Sequence, residues 1–440
     1  MTVEREILVL GLGKSGQASI DFLCQHAYRV VAADTRTVPP GLAAIEQRYP
    51  DLEILLAPLD ELPLTRFSTI ILAPGISRWE PAIESAVAAG VEVVGEIEWF
   101  ARHCRAPVVA ITGSNGKSTV TTLVGEMAKA AGVNVAVGGN LGTPALALLA
   151  QQVELYVLEL SSFQLETVHS LRPAAAIVLN LSPDHMDRYR DFQHYCETKG
   201  QIYRRAEHAL YDVEAEGVAE LVNRYAALEA VSAIGESSGF HLVEGEICYQ
   251  QTPLMAQAAL RIPGAHNMRN ALAALSLGAA VGLPVDRMVE ALKQFSGLPH
   301  RTEWVSAQAG VRWINDSKGT NLGATLAAIE GLCAEGGLVL IAGGQGKGAD
   351  FSPLRTVAHR LRGVVVMGED GAAIAQAVAG ETAVQWAENM VQAVEHAAAL
   401  ARNGDTVLLS PACASFDQYA GFEARGKAFK QAVAQQLSQS

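Results

Sequence analysis

The sequence contains no long hydrophobic run. Its longest apolar stretches, such as Ala273 to Val285, are interrupted by Ser, Gly or Pro, well short of the roughly 18 apolar residues that a membrane-spanning helix needs. The first residues include acidic side chains and lead directly into a strand-like segment, unlike the basic and then apolar start of a signal peptide. We therefore expect a cytoplasmic protein without membrane insertion.

Cysteine and positive charge are also scarce. The six cysteines, at positions 24, 104, 196, 248, 333 and 413, form no Cys-x-x-Cys or Cys/His pattern, so we expect buried thiols and neither a zinc site nor a disulfide framework. The 33 Lys and Arg residues against 46 Asp and Glu residues give a net charge of −13, which argues against nucleic acid or an anionic membrane as a partner. Anionic ligands must then be bound by individual basic side chains and helix N-termini.

A glycine-rich octet is the most informative segment that is present. Thr112-Gly-Ser-Asn-Gly-Lys-Ser-Thr119 lies between an apolar strand pattern and a helical pattern. Gly113 and Gly116 allow backbone N–H groups to converge on phosphate oxygens, while Lys117 supplies a charge and Ser118 a hydroxyl for Mg²⁺. Isoleucine replaces the glycine that the general phosphate-loop pattern has six positions before the lysine. The octet indicates an ATP-using protein; the alternative is a glycine-rich turn with a solvated lysine.

A second glycine turn lies near the amino terminus. Gly11-Leu-Gly-Lys-Ser-Gly16 follows the strand pattern from Glu6 to Leu10, and a second strand pattern ends in Asp34. This is the strand, turn and helix context of a dinucleotide fingerprint, with an acid where a ribose hydroxyl would lie. However, the segment is complete by Glu96, and a unit of this size can equally bind another nucleotide diphosphate. NAD, a different diphosphate and a purely structural turn all remain open.

Two apolar strand patterns follow the phosphate loop, from Leu155 to Leu160 and from Ala174 to Leu181. Glu159 ends the first, where a neighbouring strand usually presents a Mg²⁺ ligand; a capped structural carboxylate is the alternative. His185 follows the second and should lie at the same sheet edge, as a metal-binding or a structural histidine. Lys199 has no neighbours that distinguish it from a solvated lysine.

The order of these patterns predicts an α/β protein with three domains. They are a Rossmann-like N-terminal unit (1–96), a central P-loop mononucleotide-binding α/β domain (97–298) and a C-terminal Rossmann-like domain (299–440). Residues 209–257 are less regular and favour a short antiparallel excursion. The third segment alternates strand and helix, and this alternation predicts a helix over residues 354–361.

Six motifs together resemble the Mur ligases of peptidoglycan synthesis, and the resemblance covers essentially the whole chain. Beside the phosphate loop they are Glu159-Leu-Ser-Ser-Phe-Gln164, the segment Asn180 to Asp187, Gly264-Ala-His-Asn-Met-Arg-Asn270, Leu298-Pro-His-Arg-Thr-Glu303 and Asn315-Asp-Ser-Lys-Gly-Thr-Asn321. The third-segment motifs Gly343-Gly-Gln-Gly-Lys-Gly-Ala-Asp350, Leu409-Ser-Pro-Ala-Cys-Ala-Ser-Phe-Asp417 and Phe422-Glu-Ala-Arg-Gly426 are similar to those of the members that add D-glutamate.

The resemblance implies a role for individual residues, with ATP, two Mg²⁺ ions and a CO₂-derived carbamate on Lys199 taking part. Lys117, His185 and Lys199 would be catalytic, and Ser118, Glu159, His185 and Lys199 would serve the metal ions. ATP would contact Gly113, Ser114, Asn115, Gly116, Lys117, Ser118, Thr119, Asn267, Asn270, Arg301 and Asp316. The UDP substrate would contact Ser15, Asp34, Thr35, Arg36, Gly75 and Asn140, and D-glutamate would contact Lys318, Thr320, Lys347, Ser415 and Phe422.

The implied reaction is ATP-driven joining of D-glutamate to UDP-N-acetylmuramoyl-L-alanine by a monomeric enzyme. Another Mur ligase, a folylpolyglutamate synthetase, an NAD-dependent dehydrogenase and a non-enzymatic nucleotide-binding regulator are the alternatives. The resemblance assigns UDP to the glycine turn that begins at Gly11. This turn departs from expectation at Lys14 and Gln17, whose side chains are more polar than we expect at a UDP site.

Overall fold

The computed structural model describes residues 6–227, 231–262, 264–308, 310–332 and 337–439, and these residues form three large sheets, each flanked by helices, and one small sheet. The inner strands of the large sheets are apolar and buried on both faces, as expected for parallel sheets covered by helices, whereas several edge strands are partly exposed. The predicted α/β class is confirmed. The exact domain boundaries stay predictions; the division at residue 97 falls inside a helix that runs from Glu96 to His103.

The first sheet has five parallel strands in the order β3-β2-β1-β4-β5. Its central strand is the run Ile-Leu-Val-Leu, all four residues of which are buried. The strands are β1 Ile7–Leu10, β2 Val30–Asp34, β3 Glu53–Leu56, β4 Thr69–Leu72 and β5 Glu92–Gly95. The helices are α1 Lys14–Gln25, α2 Leu42–Arg48, α3 Pro81–Ala88 and α4 Glu96–His103.

The central sheet has six parallel strands in the order β11-β10-β9-β6-β8-β7. The strands are β6 Val108–Thr112, β7 Val135–Gly139, β8 Leu155–Glu159, β9 Ala175–Val178, β10 His208–Asp212 and β11 Val231–Ile234. The helices are α5 Lys117–Ala130, α6 Ala145–Leu148, α7 Ser162–Leu165, α8 Phe192–Gly200 and α9 Val218–Tyr225.

The expectation for residues 209–257 was only partly right. Strands β10 and β11 extend the parallel central sheet, and only the later strands form an antiparallel meander in the order β12-β13-β14. The meander strands are β12 Phe240–Val243, β13 Glu246–Tyr249 and β14 Thr252–Ala256, followed by α10 Ala265–Ala280 and α11 Val285–Gln294.

The third sheet has the order β15-β16-β20-β17-β18-β19, with β15 antiparallel to its neighbour and the other pairs parallel. The helix predicted over residues 354–361 was wrong: two short 3₁₀ turns occupy Ser352–Thr356 and Ala358–Arg360, and β18 then begins at Leu361. The strands are β15 Glu303–Gln308, β16 Val311–Asn315, β17 Leu338–Gly343, β18 Leu361–Met367, β19 Ala383–Trp386 and β20 Thr406–Leu409. The helices are α12 Leu322–Leu332, α13 Gly371–Ala377, α14 Met390–Leu400 and α15 Phe422–Gln439.

The hydrophobic cores join the first two units but leave the third separate. One cluster runs without interruption from Ile7 in β1 to Val222 in α9 and therefore includes both the first and the central sheets. The third unit has its own clusters on either face of its sheet. Within the described ranges, no helix combines the length and hydrophobicity needed to cross a membrane.

The cysteine prediction holds in part. Cys196, Cys248 and Cys413 are buried, whereas Cys24 and Cys104 are half-buried, and all five are free thiols. Cys333 lies outside the described residues.

Candidate active site

The glycine-rich octet forms a tight turn between β6 and α5. Gly113 and Gly116 have positive φ angles of 147° and 83°, in the region where a side chain is strained. A Cβ atom on Gly116 would also lie 2.4 Å from Oδ1 of Asn270. Ile111 replaces the first glycine of the general phosphate-loop pattern. It is a fully buried residue of β6, paired with Glu159 of β8, so at this position the chain is still a strand and has not yet entered the turn.

Two lysines converge on one carbonyl of this turn. Nζ of Lys117 donates to O of Gly113 at 2.8 Å and Nζ of Lys199 donates to the same oxygen at 2.9 Å. Lys199 is only 2% exposed, so the composition-based interpretation of a solvated lysine was wrong. Burial, together with the charge of Lys117, lowers the pKa of Lys199 well below its ordinary value. Burial also lowers the pKa of Lys117, against the opposing charge of Glu159.

Glu159 ends β8 beside this turn and is almost fully buried. One carboxylate oxygen accepts a hydrogen bond of 2.7 Å from Nδ2 of Asn140, while the other has no hydrogen-bond partner in the described part of the chain. Burial alone would raise the pKa of Glu159, but the charge of Lys117 holds it below its ordinary value. The site therefore contains a buried carboxylate with one free oxygen, which suits a cation.

The turn after β9 carries His185 in a strained conformation, with φ at 58°. Burial lowers the pKa of His185 to about 4, despite the nearby Asp184, so the ring is neutral near pH 7 and can donate a lone pair to a metal. Asp184 in turn accepts hydrogen bonds from Lys347 at 3.2 Å and Asn321 at 3.3 Å. These contacts connect the central unit to the third unit directly at the site.

The third unit contributes further charged groups. NH2 of Arg301 donates to Oγ of Ser118 at 3.1 Å. Burial raises the pKa of Asp316 to about 6, and its carboxylate accepts hydrogen bonds from the Thr302 amide and the Ser410 hydroxyl. Burial lowers the pKa of Lys318 to about 8.

A cavity of about 630 Å³ gathers residues from both units. The site residues that line it are Ser114, Asn115, Gly116, Lys117, Thr119, Asn140, Glu159, His185, Asn267, Asn270, Arg301, Asp316, Lys318, Thr320 and Lys347. Gly113, Ser118, Lys199, Ser415 and Phe422 do not line it. Of these, Phe422 reaches it indirectly, because Nζ of Lys318 lies 3.8 Å from the centre of the Phe422 ring. Ser415 is buried.

The first-unit residues lie apart from this cavity. Asp34 is buried at the end of β2, where it accepts hydrogen bonds from the Leu12 amide at 2.8 Å and from Arg36 through both carboxylate oxygens. The Leu12 amide and Arg36 thus fix the position of this carboxylate at the strand end. Ser15 lies in the first turn of α1, Thr35 directly follows β2 and is exposed, and Gly75 lies in the turn after β4.

The two polar residues Lys14 and Gln17 at the glycine turn line a different groove, which lies between α1 and α6. Gln17 also contacts Arg48 and the Leu12 carbonyl. Their side chains therefore do not argue against a diphosphate at the glycine turn.

Sequence reasoning missed several residues that hold the site together. Asn180 accepts from the Asn115 amide at 2.9 Å, and Ser114 exchanges hydrogen bonds with Ser182 and Tyr195. Asp184 and Asn321 bridge two units. Their location inside recognised motifs was a signal, but their partners are distant in sequence.

Family models and a curated relative match nearly the whole chain. Residues 111–278 match the model of the Mur ligase middle domain, residues 5–95 match the Mur ligase MurD-like N-terminal domain, and residues 300–413 match the Mur ligase glutamate ligase domain. The chain is 50% identical over 443 residues to the UDP-N-acetylmuramoylalanine--D-glutamate ligase of Nitrosococcus oceani, with 98% of this chain and 97% of the relative covered.

Solved structures share the fold. A pseudomurein peptide ligase type C from Methanothermus fervidus superposes with a TM-score of 0.63 at 16% identity, covering 98% of this chain and 99% of the other. A MurF ligase from Thermotoga maritima in complex with ADP superposes with a TM-score of 0.60 at 17% identity, covering 98% and 96%.

Proposed function

Because this chain belongs to the Mur ligase family, we propose that it joins D-glutamate to UDP-N-acetylmuramoyl-L-alanine with the cleavage of ATP to ADP and phosphate. The observation that carries the proposal is the shared cavity, where the phosphate loop of the central unit faces Lys318 and Lys347 of the third unit. A nucleotide and a dicarboxylic amino acid both need cationic partners in a chain that is otherwise acidic. The name carried by the relative of 50% identity supports the same substrates.

The triphosphate of ATP would lie on the turn from Gly113 to Thr119, at the N-terminus of α5. Backbone amides at a helix N-terminus favour anions, and Lys117 already points back toward the turn through its bonds to the Gly113 and Ser114 carbonyls. Arg301 adds a second charge from the third unit, next to Ser118. Asn267, Asn270 and Asp316 line the same cavity and are proposed to contact the rest of the nucleotide.

In the proposed reaction, the terminal carboxylate of the UDP substrate attacks the γ-phosphate and gives an acyl phosphate and ADP. The amine of D-glutamate then attacks the acyl carbon, phosphate leaves, and the nitrogen loses a proton. Lys117 and Arg301 would neutralise negative charge that gathers on the transferring group. Contacts of Lys347 and Asn321 with Asp184 bring the third unit over the site, which would help to exclude water from the labile acyl phosphate.

Magnesium fits the residues present. Glu159 offers a buried carboxylate oxygen without a hydrogen-bond partner among the described residues, His185 is neutral near pH 7, and Ser118 supplies a hydroxyl. No group of three or more His, Cys, Asp or Glu side chains that could form a metal cage occurs in the described part of the chain, and Mg²⁺ typically takes one or two protein ligands plus phosphates. When bound, Mg²⁺ would offset phosphate charge; we propose two ions, as the family resemblance implies.

A carbamate on Lys199 also fits. CO₂ reacts with an unprotonated amine, and burial keeps the pKa of Lys199 well below its ordinary value. The resulting anion would lie beside the phosphate turn, where Nζ of Lys199 is 2.9 Å from the Gly113 carbonyl, and would support a cation there.

The remaining substrates are assigned to opposite sides of the site. Ser15, Asp34, Thr35, Arg36 and Gly75 of the first unit are proposed to bind the UDP moiety, and Asn140, which contacts Glu159, the acyl end. D-Glutamate is proposed to contact Lys318, Thr320, Lys347, Ser415 and Phe422. Lys347 would exchange its bond to Asp184 for a substrate carboxylate. The reaction is proposed to occur in the cytoplasm, where ATP is available.

Phosphate release from ATP tests the proposal directly. The purified protein would receive UDP-N-acetylmuramoyl-L-alanine together with D-glutamate, L-glutamate or no amino acid. Release that requires both the UDP substrate and D-glutamate is the expected result. Lys117→Met should abolish it. The matched control is Lys129→Met on the exposed face of the same helix, where Lys129 forms an ion pair with Glu126.

Each alternative gives a different result. Release with another amino acid would retain the ligase class and overturn the D-glutamate assignment of Lys318 and Lys347. Release with a folate acceptor instead of the UDP substrate would favour a folylpolyglutamate synthetase. ATP binding without any release would favour a regulator, and NADH binding detected by fluorescence would favour the dehydrogenase.

A further inference from the structure

Arg188 lies on the same tight turn as His185. The His185 carbonyl accepts hydrogen bonds from the amides of Arg188 at 3.0 Å and Tyr189 at 3.3 Å. A movement of the Arg188 backbone would therefore be transmitted to the histidine that the proposed function assigns to metal binding.

The Arg188 guanidinium reaches from the central unit into the first unit. Nε and NH2 donate to the two oxygens of Glu166 at 3.1 and 2.7 Å. NH1 donates to the Pro74 carbonyl at 2.8 Å and NH2 to the Ile76 carbonyl at 3.2 Å. These two carbonyls flank Gly75, which belongs to the proposed UDP-substrate site.

The surroundings fix this guanidinium in place. Its side chain is 11% exposed and that of Glu166 is 1% exposed. The Phe163 ring lies 4.1 Å from its central carbon, and the same ring lies 4.6 Å from the His185 ring. The Tyr189 hydroxyl donates to Glu166 at 2.8 Å. The backbone of Glu166 is also fixed, because Arg78 of the first unit donates a hydrogen bond of 2.9 Å to the Glu166 carbonyl.

A buried ion pair is a costly way to stabilise an interface, because both groups lose their hydration. The first and central units already share a continuous hydrophobic core, so adhesion alone does not require the pair. What an apolar contact cannot supply is a fixed direction. The planar guanidinium, with donors at fixed angles, specifies the position of two carbonyls and a carboxylate at once.

We propose that Arg188 is a positioning residue that sets the distance between the substrate turn Pro74–Ile76 and the His185 turn, so that the acyl carboxylate of the UDP substrate meets the γ-phosphate of ATP. Glu166 holds the guanidinium in the orientation that this requires. The inference rests on the proposed function, since it concerns the meeting of those two substrates.

The test compares Arg188→Lys with Glu166→Gln and with a matched control. Lysine keeps the charge but has donors on one nitrogen only, so it cannot span Glu166 and both carbonyls. Arg362→Lys is the control, because Arg362 forms the same type of two-point pair with the buried Asp405 but lies in the third sheet. Four quantities are measured for each variant. They are the ADP affinity by calorimetry, the melting temperature, kcat per ADP-binding site, and the KM for the UDP substrate.

We expect Arg188→Lys to bind ADP within about twofold of the unmodified chain, because the phosphate loop does not contact it. Its kcat should fall about 10- to 100-fold, the range expected for a small misplacement of reacting groups, and its KM for the UDP substrate should rise. Glu166→Gln should also lower kcat and raise the KM for the UDP substrate, each by a smaller factor than Arg188→Lys. Arg362→Lys should keep both.

Two results would overturn the inference. In one, Arg188→Lys matches Arg362→Lys in kcat and KM. In the other, the kcat of Arg188→Lys per ADP-binding site is normal and only the melting temperature falls, which is the pattern of a purely structural pair. If the unmodified chain itself does not consume the UDP substrate, the proposed function fails instead, so the two failures are distinguishable.

Discussion

Glu96 is a buried acid at the joint between the first and central units, and its replacement by glutamine gives a quantitative test. It is the first residue of α4, and one carboxylate oxygen accepts a hydrogen bond of 2.8 Å from the Leu146 amide near the start of α6. The other oxygen has no hydrogen-bond partner in the described residues. Burial raises the pKa of Glu96 from 4.5 to about 7, although the backbone hydrogen bond opposes the shift.

The sign of the effect follows from that direction. Between the two pKa values the carboxyl group is protonated in the folded chain and ionised in the unfolded chain, so the folded state binds the extra proton. The Glu96 carboxyl group makes its full contribution to the free energy of unfolding below about pH 4.5, and this contribution is lost as the pH rises through about 7. A shift of this size corresponds to about 3 kcal/mol lost across that window. Glu96→Gln cannot ionise and retains an oxygen for the Leu146 amide.

We therefore expect the free energy of unfolding of Glu96→Gln, relative to the unmodified chain, to rise by about 3 kcal/mol between pH 4.5 and pH 8. Urea unfolding at a series of pH values measures it. Glu98→Gln on the same helix is the control, because a lowered pKa makes the contribution of Glu98 change only below about pH 4.5, so its curve should stay parallel to that of the unmodified chain between pH 4.5 and pH 8. Burial alone would raise the pKa of Glu98, but hydrogen bonds from the Ser170 and His169 amides hold it below its ordinary value. Parallel curves for Glu96→Gln and the unmodified chain would refute the reasoning.

Three other outcomes concern the site. Gly116→Ala should lower ATP turnover at least about 100-fold, because its Cβ would meet Asn270 at 2.4 Å in a strained conformation; turnover close to that of the unmodified chain would contradict this. Activity should depend on dissolved CO₂ and be lost in Lys199→Arg, whose guanidinium does not form a carbamate; full activity in degassed buffer with an unmodified intact mass would count against the carbamate. Small-angle scattering should record compaction when the UDP substrate, an ATP analogue and D-glutamate are all present, since the third unit has separate cores and can move as a body; an unchanged radius of gyration would contradict a ligand-driven movement of that unit.

Local patterns were sufficient where each element carries its own signal. The strand Leu155–Glu159 is apolar enough to be recognised without its neighbours, and the glycines of the octet mark a turn that only small residues can adopt. In residues 354–361 the local pattern gave the wrong element. Their apolar spacing suits a helix, but the segment forms 3₁₀ turns and then enters β18 at Leu361, because pairing of that strand with β17 outweighs local preference.

By itself, the sequence determined the class of the fold, the order of its units and the position of the phosphate turn, because hydrophobic periodicity and glycine chemistry act over a few residues. Only the tertiary structure decided that Lys199 is buried on the Gly113 carbonyl, that Asp34 is occupied by Arg36, and that Arg188 connects the His185 turn to the first unit. The protonation state and partners of a charged side chain depend on its burial and on groups far away in the chain. Such properties arise only once the sheets have packed together.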